Sequence, residues 1–181
     1  ASFGQGCEGE PLLRGKALSK VIRMVREKTG RGTIHLNTNG SMPELAKEMI
    51  DAGLDSIRVS LNSPTRAYYD AYYQPVRYTY EDVMLTIRLS LDRGIFVSVN
   101  LFFFPGFTDA LPEVESLGAF LREYPVNMIQ TRNLNIDPDL YLETMKSPDS
   151  PVMGTRQLID HLKKEYPGTR LGYYNPPKEK F

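Results

Sequence analysis

Cysteine is nearly absent from this chain: Cys7 is the single one in 181 residues, so no internal disulfide framework is available. A lone thiol fits a reducing compartment, and the expected location is cytoplasmic. Histidine is almost as scarce, with His35 and His161 alone, which argues against a histidine metal centre. An excess of one charge is missing too. Lys+Arg and Asp+Glu both number 22, so the balance gives no reason to expect nucleic acid or an anionic membrane as partner. The longest apolar stretch, 94–107, is interrupted by Ser98 and Asn100 and is too short to span a bilayer. The first residues show no basic, apolar, small-residue series of the secretory kind. They also lack a methionine and open at or inside a strand, so a piece of a longer protein is expected.

What is present is a regular alternation of two periodicities. The opening Ala1-Ser2-Phe3 runs into a loop with glycines at 4, 6 and 9, which lets the backbone approach a small polar ligand closely. Helical spacing follows over 14–29 (Leu18, Val21, Ile22, Val25), then strand alternation over 33–39. Ser41-Met42-Pro43-Glu44 reads as a capping box opening a helix to about Ala52. A strand is expected over 56–62, a Tyr-rich helix over 65–73, a helix over 79–92 and a strand over 95–103. A helix over 111–124, a strand over 126–133 and a helix over 155–166 complete the series. The tail, 167–181, is rich in Pro, Gly, Tyr and Lys; one short strand over 170–174 is expected, and the rest loose.

Strand–helix alternation implies a mostly parallel sheet with right-handed crossovers, an α/β fold. About five strands are fewer than the eight of a complete (βα) barrel, so a partial barrel over 1–166 and a separate tail over 167–181 are expected. One face of each strand is aliphatic and suits packing on helices. The opposite face reads His35/Asn37/Asn39, Arg58/Ser60/Asn62, Ser98/Asn100 and Gln130/Arg132. Barrel interiors are ordinarily Val, Ile and Leu. Polar groups there need partners, since each unsatisfied one costs roughly 1–3 kcal/mol. A polar ligand in the lumen is the expected explanation, with a self-satisfied network as the alternative.

Gly9-Glu10-Pro11 after the first strand, Asn37-Thr38-Asn39-Gly40 after the second and Val59-Ser60-Leu61-Asn62-Ser63 after the third carry a resemblance. Together with Val99-Asn100 and Pro105-Gly106-Phe107-Thr108-Asp109, they resemble the partial barrel of radical S-adenosylmethionine (radical SAM) enzymes over about residues 1–135. The resemblance implies a full-length enzyme that cleaves SAM reductively at a [4Fe–4S] cluster. The resulting 5′-deoxyadenosyl radical would take hydrogen from a substrate the sequence does not identify. It also implies an electron donor for the cluster. Gly9, Glu10 and Pro11 would receive the methionine amino group, and Thr38 and Asn39 would lie by the methionine or ribose. Ser60 and Asn62 would serve the carboxylate or ribose, and Asn100 the ribose hydroxyls. Gln130 and Arg132 would flank the adenosine or contact substrate.

The pattern departs from that family in two places. Glu8 stands where a glycine is usual before Gly-Glu-Pro. The three-cysteine loop that holds the cluster belongs upstream of that motif, and Cys7 cannot supply three thiolates. The chain therefore resembles the barrel from its second strand onward, expected to be inactive alone, with its cluster ligands elsewhere. Two other readings stay open: an aldolase- or isomerase-type barrel acting on a phosphorylated metabolite, and a non-catalytic scaffold that binds SAM or a partner. The tyrosines from Tyr68 to Tyr80 read first as helix packing and second as a stacking surface, and Asp137-Pro138-Asp139 as a helix cap rather than a carboxylate pair.

Overall fold

The computed structural model describes residues 1–4, 9–132, 136–146 and 150–181. The readings made above for Gly6, Cys7 and Glu8, and for position 133 at the end of the strand expected over 126–133, lie outside the described residues. Strands β1 (Ser2–Phe3), β2 (His35–Thr38), β3 (Ser56–Leu61), β4 (Phe96–Phe102), β5 (Met128–Arg132) and β6 (Arg170–Gly172) form one parallel sheet in sequential order. The sheet is open rather than closed into a barrel, as a partial (βα) barrel requires. Helices α1 (Gly15–Lys28), α2 (Pro43–Asp51), α3 (Arg66–Tyr73), α4 (Tyr80–Asp92), α5 (Leu111–Glu123), α6 (Pro138–Met145) and α7 (Thr155–Glu165) complete it.

The aliphatic strand faces build the core as expected: Leu36, Ile57, Val59, Leu61, Val97, Val99 and Ile129 are buried with Ile22, Met49, Ile87 and Leu117 from the helices. Several local expectations are corrected. In α1, Val21 and Val25 are exposed, and the face turned inward is Gly15–Ser19–Ile22. Small residues are needed there because α2 comes close; a Cβ on Gly15 would lie 2.9 Å from that of Leu45. Ser41 and Glu44 make no capping box, because α2 starts one residue too late for it and its N-cap is Met42. The box forms instead at Thr79, whose side chain accepts from Asp82 N while Asp82 accepts from Thr79 N. Helix α6 was not foreseen; Asp137 caps it by accepting from the amides of Asp139 and Leu140. Its Tyr141 and Met145 close over Phe107 with Tyr68, Tyr72, Phe102 and Phe104 against them.

The tail beyond β6 is not loose. It crosses the polar side of the sheet from β5 back to β2. Asn175 bonds to both Gln130 and His35, Lys178 N donates to Thr33 Oγ1 at 2.8 Å, and Phe181 stacks on Phe96 with centroids 4.5 Å apart.

Candidate functional site at the strand ends

Register sets the polar residues in layers. Asn37, Arg58, Ser98 and Met128 lie abreast on β2 to β5. Ser60, Asn100 and Gln130 form the next layer towards the C-terminal ends, and Phe102 and Arg132 the layer beyond. Parallel strands deliver all these ends to one rim, which is where barrels place their ligands.

Six of the ten anticipated residues meet there. Gly9, Glu10, Pro11, Thr38, Asn39 and Ser60 line one cleft of about 320 Å³, together with Gly4, Asn37 and Tyr73. That volume suits a small ligand. Glu10 is the hinge of the arrangement. Its Oε1 accepts from Leu12 N (2.9 Å) and Thr38 Oγ1 (2.6 Å), and its Oε2 from Asn39 N (2.7 Å). The carboxylate thus caps the 3-10 turn Pro11–Arg14 and clamps it to the end of β2. A carboxylate offers about four lone-pair sites, so one on Oε2 is left for a donor. The Ser60 hydroxyl and the Asn39 side-chain NH2 also have no partner among the described residues; Asn39 Oδ1 accepts from Ser41 N. Gly9, at φ +77°, has open space where a Cβ would point. Gly4 is the opposite case: at φ +76°, a Cβ would sit 2.3 Å from Asn37 O and 2.7 Å from Pro11 Cγ. Its missing side chain lets β1, β2 and the Pro11 turn close on one another.

The other four residues do not line this cleft. Asn62 is 1% exposed; its Nδ2 donates to Tyr68 O, and its Oδ1 has no partner among the described residues. Asn100, Gln130 and Arg132 form a second group with Arg58. Arg58 Nη1 donates to Gln130 Oε1 (2.7 Å), and Arg132 Nε donates to Asn100 Oδ1 (2.9 Å). Part of the lumen satisfies itself, because the tail contributes Asn175. Gln130 Nε2 donates to Asn175 Oδ1 (2.6 Å), and Asn175 Nδ2 lies 2.7 Å from His35 Nε2. His35 Nδ1 contacts Ser56 Oγ, and Asn37 bonds onward to Phe3 O. Burial is the main reason that the His35 pKa is pushed down to about 4; Asn37 opposes the shift, while Arg58 and the N-terminal amine reinforce it. Burial and then Arg132 lower that of Arg58.

Of the residues sequence reasoning missed, Asn37 was already on the polar face, and Tyr73 was in the tyrosine run. Nothing in the composition of the tail points to Asn175. A larger depression of about 490 Å³ lies between α3 and the loop to α4. It contains none of the strand-end residues, so the smaller cleft is the stronger candidate.

The radical SAM superfamily model matches residues 6–117, more than half of the chain. No curated protein sequence matches it. Solved structures do. A domain of pyruvate-formate lyase-activating enzyme from Bacteroides vulgatus superposes with a TM-score of 0.66 at 13% identity, over 97% of this chain and 98% of that one. A radical SAM methyltransferase from Sphaerobacter thermophilus gives 0.61 at 16% identity, over 92% of this chain and 49% of that one. The hydrogenase maturase HydG from Carboxydothermus hydrogenoformans gives 0.59 at 11%, over 92% and 41%. At these identities the likeness concerns the fold. The chain spans less than half the length of the latter two.

The family's cofactors are SAM and a [4Fe–4S] cluster. The cleft fits the first: it has a spare carboxylate lone pair, an unpartnered hydroxyl and an unpartnered amide within a small volume. The residues of this chain do not fit the second. Cys7 is the only thiol, and among the described residues no group of three or more His, Cys, Asp or Glu can hold a metal. The family match and the strand-end cleft agree: this chain belongs to the radical SAM superfamily.

Proposed function

We propose that this chain forms the SAM-binding wall of a radical SAM enzyme that uses the 5′-deoxyadenosyl group for hydrogen abstraction. The observation that carries this is the meeting of Gly9, Glu10, Pro11, Thr38, Asn39 and Ser60 in one cleft at the ends of neighbouring parallel strands. The methionine ammonium of SAM has N–H donors, and the free lone pair of Glu10 Oε2 is a charged acceptor for one of them. Asn39 Nδ2 and Ser60 Oγ donate to the carboxylate or ribose oxygens. Asn62, anticipated beside Ser60, lies outside the cleft, and its buried Oδ1 is unpartnered among the described residues, which costs roughly 1–3 kcal/mol. Asn100, Gln130 and Arg132 lie farther round the lumen, on the substrate side.

A cluster, held by ligands outside these residues, would supply the electron that this chemistry needs, and the chain alone is expected to be inactive. The role of the described residues is to bind and orient SAM and to exclude water. The test uses the full-length protein, reconstituted anaerobically with iron and sulfide and given SAM and a reductant. Formation of 5′-deoxyadenosine, lost with Glu10→Ala, supports the reading; a failure to assemble any cluster contradicts it. A second reading, a scaffold that binds SAM without turnover, would be identified by bound SAM with no nucleoside product. The aldolase reading has little support, because none of the six strands carries a lysine for a Schiff base.

A further inference from the structure

Most arginines of this chain that form ion pairs do so on the outer surface: Arg66 with Asp70 and Glu81, Arg88 with Glu123, and Arg93 with Asp51. Arg26 is similarly paired with Asp55. Arg58 and Arg132 differ. They lie on the polar inner face, half-buried, and neither has a carboxylate partner among the described residues. Both reach the layer of Ser60, Asn100 and Gln130, Arg58 from the layer below and Arg132 from the layer above. They share one neutral acceptor, Gln130 Oε1, at 2.7 Å from Arg58 and 3.4 Å from Arg132.

Two guanidiniums drawn to one amide oxygen repel each other, and a neutral acceptor offsets little of that repulsion. Together they own about ten N–H donors. Only three of those make hydrogen bonds to the described residues. The supports are fixed. Gln130 is 0% exposed and held from behind by Asn175, while the Arg132 guanidinium lies over the Tyr173 ring, 4.8 Å from its centroid. Burying like charges without a counter-ion is costly unless an anion arrives. Planar forks of this kind match the paired oxygens of a carboxylate or phosphate.

We propose that Arg58 and Arg132, set around Gln130, form a receptor for an oxyanion group, carboxylate or phosphate, on the substrate of this protein. Assigning the anion to the substrate rests on reading the neighbouring cleft as the SAM site. Glu10, which marks the methionine end, belongs to the β1–β2 side of the lumen, whereas Arg58 and Arg132 converge on β4 and β5. The methionine end and the arginine pair are thus supported by different strands. The substrate class is then an acid or a phosphate ester, with its charged end anchored beside Gln130.

The experiment is a calorimetric titration of the 181-residue chain with succinate and, separately, inorganic phosphate, each with and without saturating SAM. Comparing the two anions shows which oxyanion is preferred. One of them is expected to bind, with affinity falling about tenfold or more in Arg58→Gln and in Arg132→Gln. Arg58→Lys, which keeps the charge but not the fork, should fall between. The Arg132 Nε–H resonance of the unaltered protein should also move on addition of the anion, a readout that needs no variant to fold. SAM should bind alongside the anion, and Arg58→Gln should leave SAM affinity within about twofold, a change of roughly 0.4 kcal/mol or less. Failure of both anions to bind, binding indifferent to both substitutions, or displacement of the anion by SAM would each overturn the proposal. The last result would give the arginines to the SAM carboxylate. A chain that binds the anion but not SAM keeps the receptor and removes the reading of the cleft.

Discussion

Glu10 has two duties, and the structural one comes first. Three hydrogen bonds tie it to Leu12 N, Thr38 Oγ1 and Asn39 N, so Glu10→Ala removes a cap and releases the rim of the cleft. The expected cost is roughly 2–3 kcal/mol in urea unfolding, on top of any loss of ligand. Sequence alone marks Glu10 as a ligand contact because its motif does; it does not reveal the clamp, since Thr38 and Asn39 lie far along the chain. His35 was legible as a lumen histidine, and its pH behaviour follows from burial. Its folded value of about 4 lies below the ordinary 6.5, so the folded chain binds fewer protons than the unfolded one. Its contribution is therefore whole above pH 6.5 and is lost progressively as the pH falls towards 4. The loss is of the order of 3 kcal/mol. Chemical denaturation at a series of pH values should show this slope in the parent chain, and a much flatter one in His35→Gln.

At the scale of elements, the strands were the most legible part, because one aliphatic and one polar face recur from β2 to β5. Boundaries and caps were less so. Ser41 and Glu44 have the spacing of a capping box, yet Asn39 and Thr38 already satisfy the amides of the turn, and the helix begins after Met42. Helix α6 is short and carries a weak apolar stripe, so only its Asp137 cap showed in the sequence. The Pro11 turn depends on Gly4. Gly4→Ala would place a methyl group against Asn37 O, in a backbone conformation that alanine disfavours. A loss of about 2 kcal/mol or more is expected, with the β1 amides exchanging faster with solvent. The tail was the largest surprise: its composition suggests a loose end, and its order comes from long-range bonds to Gln130, His35 and Thr33. Asn175→Ala should cost roughly 1–3 kcal/mol by leaving buried Gln130 Nε2 with only the weak acceptor Met128 Sδ. An unchanged denaturation midpoint would mean that the tail is not seated there.

At the scale of the whole molecule, six parallel strands in sequential order bring the ends of β1, β2 and β3 to one rim, and with them three short motifs separated by long stretches of chain. That convergence is why the fold and most of the cleft could be read in advance. The members of the second group, Arg58, Asn100, Gln130 and Arg132, were legible on the polar face, but their pairing was not, because Arg58 reaches across β4 to find Gln130 on β5. Among the described residues no helix is long and apolar enough to cross a membrane. Whether the cleft is the SAM site is tested most directly by an amide NMR titration of this chain with SAM. The predicted result is a set of saturable shifts confined to Gly9, Glu10, Asn39, Gly40 and Ser60, and abolished by Ser60→Leu, which fills the cleft. Shifts gathered instead around Arg66 and Tyr78, or none at millimolar SAM, would contradict it.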